Sequence, residues 1–203
     1  GGAPSGANTE VFTVDITFDA YATETSWSLV NGSSEEVWSE GVFTASESNN
    51  SFSYSSTCLP TTGTYTFTME DTFGDGMCYQ GACGSYNLVV GDVSFVGVTA
   101  FTNATSIEVE FGCTDSGADN YNSTADVDNG TCVFSGCTDA SACNYDASAS
   151  TDDGSCTYAT TWYEDSDSDN AGDPNSTTTS CTQPAGYVAV AGDECPSDGS
   201  LQT

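Results

Sequence analysis

Two consecutive segments constrain this chain most: GCTDSGADNYNSTADVDNGTCVF (residues 112–134) and GCTDASACNYDASASTDDGSCTY (136–158). Offset by 24 positions, they share 11 of 23 residues and the same C-x18-C spacing, Cys113 to Cys132 and Cys137 to Cys156. Equal spacing in tandem reads as a duplicated structural unit. Apolar groups are few, namely Ala118, Tyr121, Ala125 and Val127 in the first copy. So small a set cannot serve as a core, and the spacing points to one bridge closing each copy on itself. Closing a loop of that length contributes about 3 kcal/mol in the chain-entropy picture.

Both copies are acidic, and the rest of the chain offers them nothing positive. Its 203 residues include 30 acidic residues and no Lys, Arg or His. Side-chain ion pairs are therefore impossible, and solvent cations or bound metal must offset one-signed charge that opposes compaction. Nucleic acid and anionic membrane surfaces are excluded as electrostatic partners, because neutralising phosphate needs Lys or Arg. Trypsin-like proteases find no cleavage site.

Ten cysteines in an acidic chain rich in Ser, Thr, Asn and Gly point to an oxidising compartment, extracellular or at a cell surface. Zinc is the weaker reading: there is no His, and the C-x2-C pairs of a zinc ribbon are missing. Six sequons, at Asn31, Asn49, Asn103, Asn122, Asn129 and Asn175, would make it a glycoprotein if the source glycosylates. Neither a signal peptide nor a transmembrane run is present. Residues 1–9 read as a linker, and GDECPSDGSLQT at the end suggests a mature or excised piece of a longer secreted protein.

Residues 10–111 read as an all-β, jelly-roll-like β-sandwich. VFTVDITFDA alternates Phe12, Val14, Ile16 and Phe18 with Thr13, Asp15, Thr17 and Asp19; GTYTFTMED and SIEVEF alternate likewise. Period two means one buried and one wet face. Further runs are SWSLV, EEVWS, NSFSYSS, SYNLVV and DVSFVGV, giving about eight strands with Gly/Asn/Ser turns. Trp27 and Trp38 lie in such runs and read as packing residues. The remainder divides into disulfide repeats at 112–135 and 136–158 and an acidic segment at 159–203, with little regular secondary structure.

The acidic segment carries the most metal-like pattern, Asp165-x-Asp167-x-Asp169-Asn170-x-x-Asp173. Alternate carboxylates on a turning loop can converge on one hard cation, and Ca2+ takes six to eight oxygens. The twelfth position is Ser176 rather than Glu, so this is not an EF-hand. In the repeats, bridge closure is expected to bring Asp115 near Asp126 and Asp128, and Asp139 near Asp152 and Asp153. The competing reading is a Gly turn in which Asp accepts backbone N–H groups. On the sandwich, EDTFGDGMCYQGAC places Asp71 and Asp75 on a Gly-rich loop, again open to calcium or plain-turn readings. Enzyme chemistry has little to stand on, because nucleophile triads need a base and there is no His or Lys.

These residues carry resemblances. The units beginning GCTD and ending DDGSC resemble a tandem repeat of large secreted and surface proteins of marine microbes. WYEDSDSDNAGDP…CTQPAGYV…DEC is similar to thrombospondin type 3-like calcium repeats, with Ser168 and Asn170 where Gly is typical. CLPTTGTYTFTMEDTFGDGMC…GSYNLVV resembles a CUB-like or pre-peptidase-type β-sandwich. That family often has a cysteine near Thr64 and another beside Cys78; both are missing here, so its bridges do not carry over. The resemblances imply non-catalytic, calcium-stabilised accessory modules.

C-x4-C spacing suits a hairpin bridge between Cys78 and Cys83, and Cys181 and Cys195, bracketing CTQPAGYVAVAGDEC, read as a local pair. With the repeat bridges, that leaves Cys58 and Cys143, which can join each other or make intermolecular bonds; an alternative joins Cys58 to Cys113. The reading that follows is a non-catalytic extracellular segment of a filament, adhesin or coat, stabilised by disulfides and Ca2+. Its partners would be copies of itself or neighbouring domains of a longer chain, and glycans. An open sandwich edge could serve strand pairing between subunits. The rival is a carbohydrate- or substrate-binding accessory module of a secreted hydrolase, which would need an exposed Trp27 or Trp38 on a concave face.

Overall fold

The computed structural model describes residues 8–41 and 43–193. The chain forms two compact units that divide after Cys132. Cys195 and most of the expected linker lie outside the described residues.

The first unit is a β-sandwich built from the alternating runs. Its strands are β1 (Phe12–Thr17), β2 (Thr25–Asn31), β3 (Glu36–Glu40), β4 (Ser51–Ser55), β5 (Gly63–Asp71), β6 (Ser85–Val90), β7 (Val93–Val96) and β8 (Ala104–Gly112). One antiparallel sheet has the order β7-β6-β1-β4. The other runs β8-β5-β2-β3, and the short strand Val127–Asp128 adds to β8 in parallel. Period two puts Phe12, Val14 and Ile16 of one sheet against Tyr65, Phe67, Met69, Val109 and Phe111 of the other, all buried. Phe12 meets the rings of Tyr65 and Phe111, and Phe67 meets that of Tyr86. Trp27 is 1% exposed and stacks on Phe43; Trp38 is half-buried with its ring edge-on to that of Trp27. Both tryptophans are packing residues.

The first repeat is welded to this sandwich. Val127 enters the core, and Phe111–Gly112 pairs with Val127–Asp128. The Asp126 N–H donates to the Glu110 carbonyl, and the Asn122 amide donates to the Glu110 carboxylate. An apolar residue at the right place lets a coreless unit borrow a core.

The second unit holds the other repeat and the acidic segment. In the repeat, Ser135–Gly136 pairs with Thr151–Asp152, as Phe111–Gly112 pairs with Val127–Asp128 in the first copy. Beyond it stand β9 (Thr160–Glu164), β10 (Asp173–Ser180) and β11 (Tyr187–Val188), in the order β10-β9-β11.

Cys78–Cys83, Cys113–Cys132 and Cys137–Cys156 are bridged. The fourth bridge corrects the sequence reading: Cys181 joins Cys143, not Cys195, and Cys143 is therefore not joined to Cys58. The cause is the β9–β10 hairpin. Ser180 pairs with Thr160 and so returns Cys181 to the start of β9. The Cys143 N–H donates to the Thr157 carbonyl, which holds Cys143 beside the same point. Antiparallel pairing thus brings together two cysteines that are 38 residues apart in sequence. Cys58 is exposed and in no disulfide among the described residues, and Cys113 is taken by Cys132.

Candidate metal centre

A loop runs from the end of β9 to the start of β10 through Asp165-Ser166-Asp167-Ser168-Asp169-Asn170. Ser168 (φ 65°) and Asn170 (φ 74°) take left-handed backbone conformations, which wind the loop so that alternate carboxylates face inward. Asp165, Asp167 and Asp169 each place an oxygen within 4.8 Å of the others. Oxygens on opposite sides of one Ca2+ stand about 5 Å apart, twice the usual ligand distance, so this spread fits a single ion. The Asn170 N–H donates to Asp165 Oδ2, and the Ala171 N–H to Asp169 Oδ1. Asp165 Oδ1 and both oxygens of Asp167 are shut off from solvent and accept no well-aligned hydrogen bond, the Asp169 N–H lending Asp167 only a weak one. Such atoms are costly to leave unanswered. The Asp167 carboxyl is held above its ordinary pKa, first by burial and then by the negative charges of Asp169, Asp193 and Asp165.

Asp193 was not anticipated from sequence. It is 1% exposed and lies close enough for its charge to act on Asp167. β11 carries the chain back past the loop. Gly172 and Ala191 then form a parallel bridge, and the Gly192 and Asp193 N–H groups both donate to the Gly172 carbonyl. A side chain at Gly172 would meet Tyr163 Cβ at 2.4 Å, so only glycine lets the chain lie this close to β9 at the point where the bridge forms. A signal was present: the tripeptide Ala-Gly-Asp occurs at both 171–173 and 191–193. Asp173 does not join the cluster, because its Oδ1 accepts from the Asn175 N–H and side-chain amide.

The repeat carboxylates behave differently. Among the described residues, neither Asp115, Asp126 and Asp128 nor Asp139, Asp152 and Asp153 converge as a carboxylate set. Asp128 gathers with Cys113 and Cys132, whose sulfurs are bonded to each other. All but Asp126 instead cap their own turns. Asp115 accepts from the Gly117 N–H, Asp128 from Gly130 and Thr114, Asp139 from Ser141, Asp152 from Gly154 and Asp153 from Ser155. Asp126 reaches back to the Glu110 N–H. Hydrogen bonds from Gly130 and Thr114 hold the Asp128 carboxyl below its ordinary pKa, and Ser141 does the same for Asp139.

On the sandwich, Asp71 and Asp75 come together with Glu24, another residue that sequence reasoning missed. Asp71 is buried, and its two oxygens accept the Phe73, Gly74 and Gly76 N–H groups, so it builds the loop on which Asp75 sits. Burial, and then Asp75, Asp71 and Asp19, raise the Glu24 pKa.

Two sequons, Asn49 and Asn103, are exposed on left-handed turns. At Asn31, Asn122 and Asn175 the side-chain amide that would carry a glycan instead donates to Glu35, Glu110 and Asp173. Asn129 is partly buried and accepts from Thr131.

Fold and site define a class: an all-β, disulfide-rich chain with a wound acidic loop, matured outside a reducing compartment. No helix among the described residues is long and apolar enough to cross a membrane. No family model, curated protein or solved structure matches it.

Proposed function

We propose that this chain is a non-catalytic structural segment of an extracellular filament, adhesin or coat, in which Ca2+ fixes the acidic loop. One observation carries the reading: the Asp167 carboxylate is sealed from water and faces other carboxylates in a chain with no Lys, Arg or His. A divalent ion with Asp165, Asp167, Asp169 and Asp193 around it would answer every one of those charges. Calcium suits an all-oxygen donor set, and modules of this kind bind at about 10⁻⁴ to 10⁻³ M, in the range of extracellular calcium. Resemblance of the loop to thrombospondin type 3-like repeats supports the same ion. The rival carbohydrate-binding reading lacks its platform, because Trp27 is in the core and Trp38 packs against it.

Calorimetric titration with CaCl2 and melting in excess chelator test the proposal. One site in that affinity range is expected, lost in Asp167→Asn and kept within about twofold in Asp173→Asn, whose carboxylate serves its own turn. A melting curve indifferent to chelator overturns the calcium role. Imaging of native material, as filament or dispersed chain, tests the structural one.

A further inference from the structure

The two sheets of the sandwich end differently at their edges. The sheet that ends in β3 is protected: β3 carries Glu36 and Glu40, and a register shift lies opposite it at Leu29/Val30. Its other edge is the two-residue strand Val127–Asp128, which ends in a carboxylate. Charges, bulges and short strands are the usual devices against edge-to-edge pairing. The edge strands of the sheet β7-β6-β1-β4 carry neither charges nor register shifts. These strands, SFSYS and VSFV, lie in acid-free stretches spanning 48–69 and 93–107.

The ladder shows which backbone groups are open. Phe18 donates to the Asn50 carbonyl and Ser56 to that of Phe12, so the even positions of β4 face β1. Alternation turns the N–H and C=O groups of Ser51, Ser53 and Ser55 outward. On the opposite edge, Gly97 donates to Tyr86, so Phe95 and Val93 face β6 and those of Ser94 and Val96 turn outward. None of these outward groups has a hydrogen-bond partner among the described residues. Val96 is 80% exposed, and Phe52, which points toward the core, is still 37% exposed for want of a neighbour beyond the edge.

We infer that β4 of one copy pairs with β7 of the next, joining four-stranded sheets head to tail. The occupant is a second copy because of charge: a chain this acidic repels itself least where carboxylates are missing, and both edge strands of this one sheet lie in acid-free stretches. Four antiparallel strands leave β4 and β7 running in opposite directions, so a translated copy continues the antiparallel pattern. Pairing of two unlike edges does not close on itself and grows into a filament. The inference rests on the structural reading above but not on its metal ion.

Sedimentation and electron microscopy of the full chain at about 0.15 M salt, where surface charges are screened beyond about 8 Å, test it with calcium present. Val96→Glu blocks β7 and Ser53→Glu blocks β4; both sites are exposed, so the fold should hold, which circular dichroism checks. Each variant alone should stay monomeric, with association at least tenfold weaker than wild type. An equimolar mixture should form heterodimers and stop there, because the open β4 of one variant pairs with the open β7 of the other and only the two blocked edges are left. Phe73→Glu, which removes an equally exposed apolar group away from both edges, should assemble like wild type. Wild-type chains that stay monomeric overturn the pairing while leaving calcium binding to its own test. Assembly by both edge variants, dimers formed by one variant alone, or assembly lost in Phe73→Glu also overturn it.

Discussion

The second repeat and the acidic loop are neighbours in sequence and equally rich in Asp, yet they use carboxylates in opposite ways. In the repeat, Asp139, Asp146, Asp152 and Asp153 each accept the N–H two residues on, from Ser141, Ser148, Gly154 and Ser155. Every one of those charges is answered locally by the backbone. In the loop the residue two positions after Asp165 or Asp167 is another Asp, and the carboxylates turn toward one another. The teaching is about spacing rather than composition: Asp-x-Ser and Asp-x-Gly make turns, whereas Asp-x-Asp-x-Asp gathers its carboxylates into one cluster.

The hardest blow to this contrast falls on closure. Replacing Cys137 and Cys156 together by Ser should cost the second repeat about 3 kcal/mol, because the bridge constrains the open loop. Hydrogen exchange across 137–158 should rise to that of an unfolded segment, and calcium should not restore protection. Restoration by calcium would show that the repeat is itself a cation site, and the contrast would fail.

Acid gives a gentler test of the repeat. Hydrogen bonds from Ser141, Ser148 and Ser155 hold the Asp139, Asp146 and Asp153 carboxyls below their ordinary pKa. A depressed folded pKa means stabilisation that is complete above the unfolded value, about 3.9, and is lost as pH falls through the folded values. The groups are exposed and individually weak, so they act as a set. Exchange protection in the repeat should hold to about pH 4 and then decline, and Asp146→Asn with Asp153→Asn should flatten the decline. Loss of protection well above pH 5 would mean that these turns do not depend on their carboxylates.

Much of this was legible in sequence because the physics was local. All eight sandwich strands follow from period two, and the loop from its Asp spacing. Trp27 sits in the core, as its alternating run implied. What was not legible depended on returns of the chain. Cys181 meets Cys143 only because a hairpin brings Ser180 beside Thr160, and no cysteine spacing encodes that. Asp193 reaches the loop through a bridge that needs glycine at 172, and Glu24 reaches Asp71 and Asp75 from a separate part of the sandwich. The repeat carboxylates were expected to converge because bridge closure draws the ends together. Closure does so, but the Asn and Asp side chains find N–H donors at shorter range first.

The smallest effect bears on whether the loop is wound before an ion arrives. Ser168 pays for its left-handed φ of 65° with a steric cost of about 1–2 kcal/mol, against which glycine's extra freedom in the unfolded chain sets about 0.5–1. Ser168→Gly should therefore gain about 0.5–1 kcal/mol. Asn170, at φ 74°, already belongs to the residue type that tolerates this region, so Asn170→Gly should change little. Where the Ser168→Gly gain appears is informative. If the loop is wound without metal, the melting temperature rises in chelator and calcium affinity stays as it was. If the ion winds the loop, the melting temperature in chelator is unchanged and affinity improves about two- to fivefold, the same free energy read through binding. The second outcome is expected, because an unscreened cluster of carboxylates opposes the wound form until a cation answers it. A gain of equal size for Asn170→Gly would mean that backbone strain is not what distinguishes the two positions.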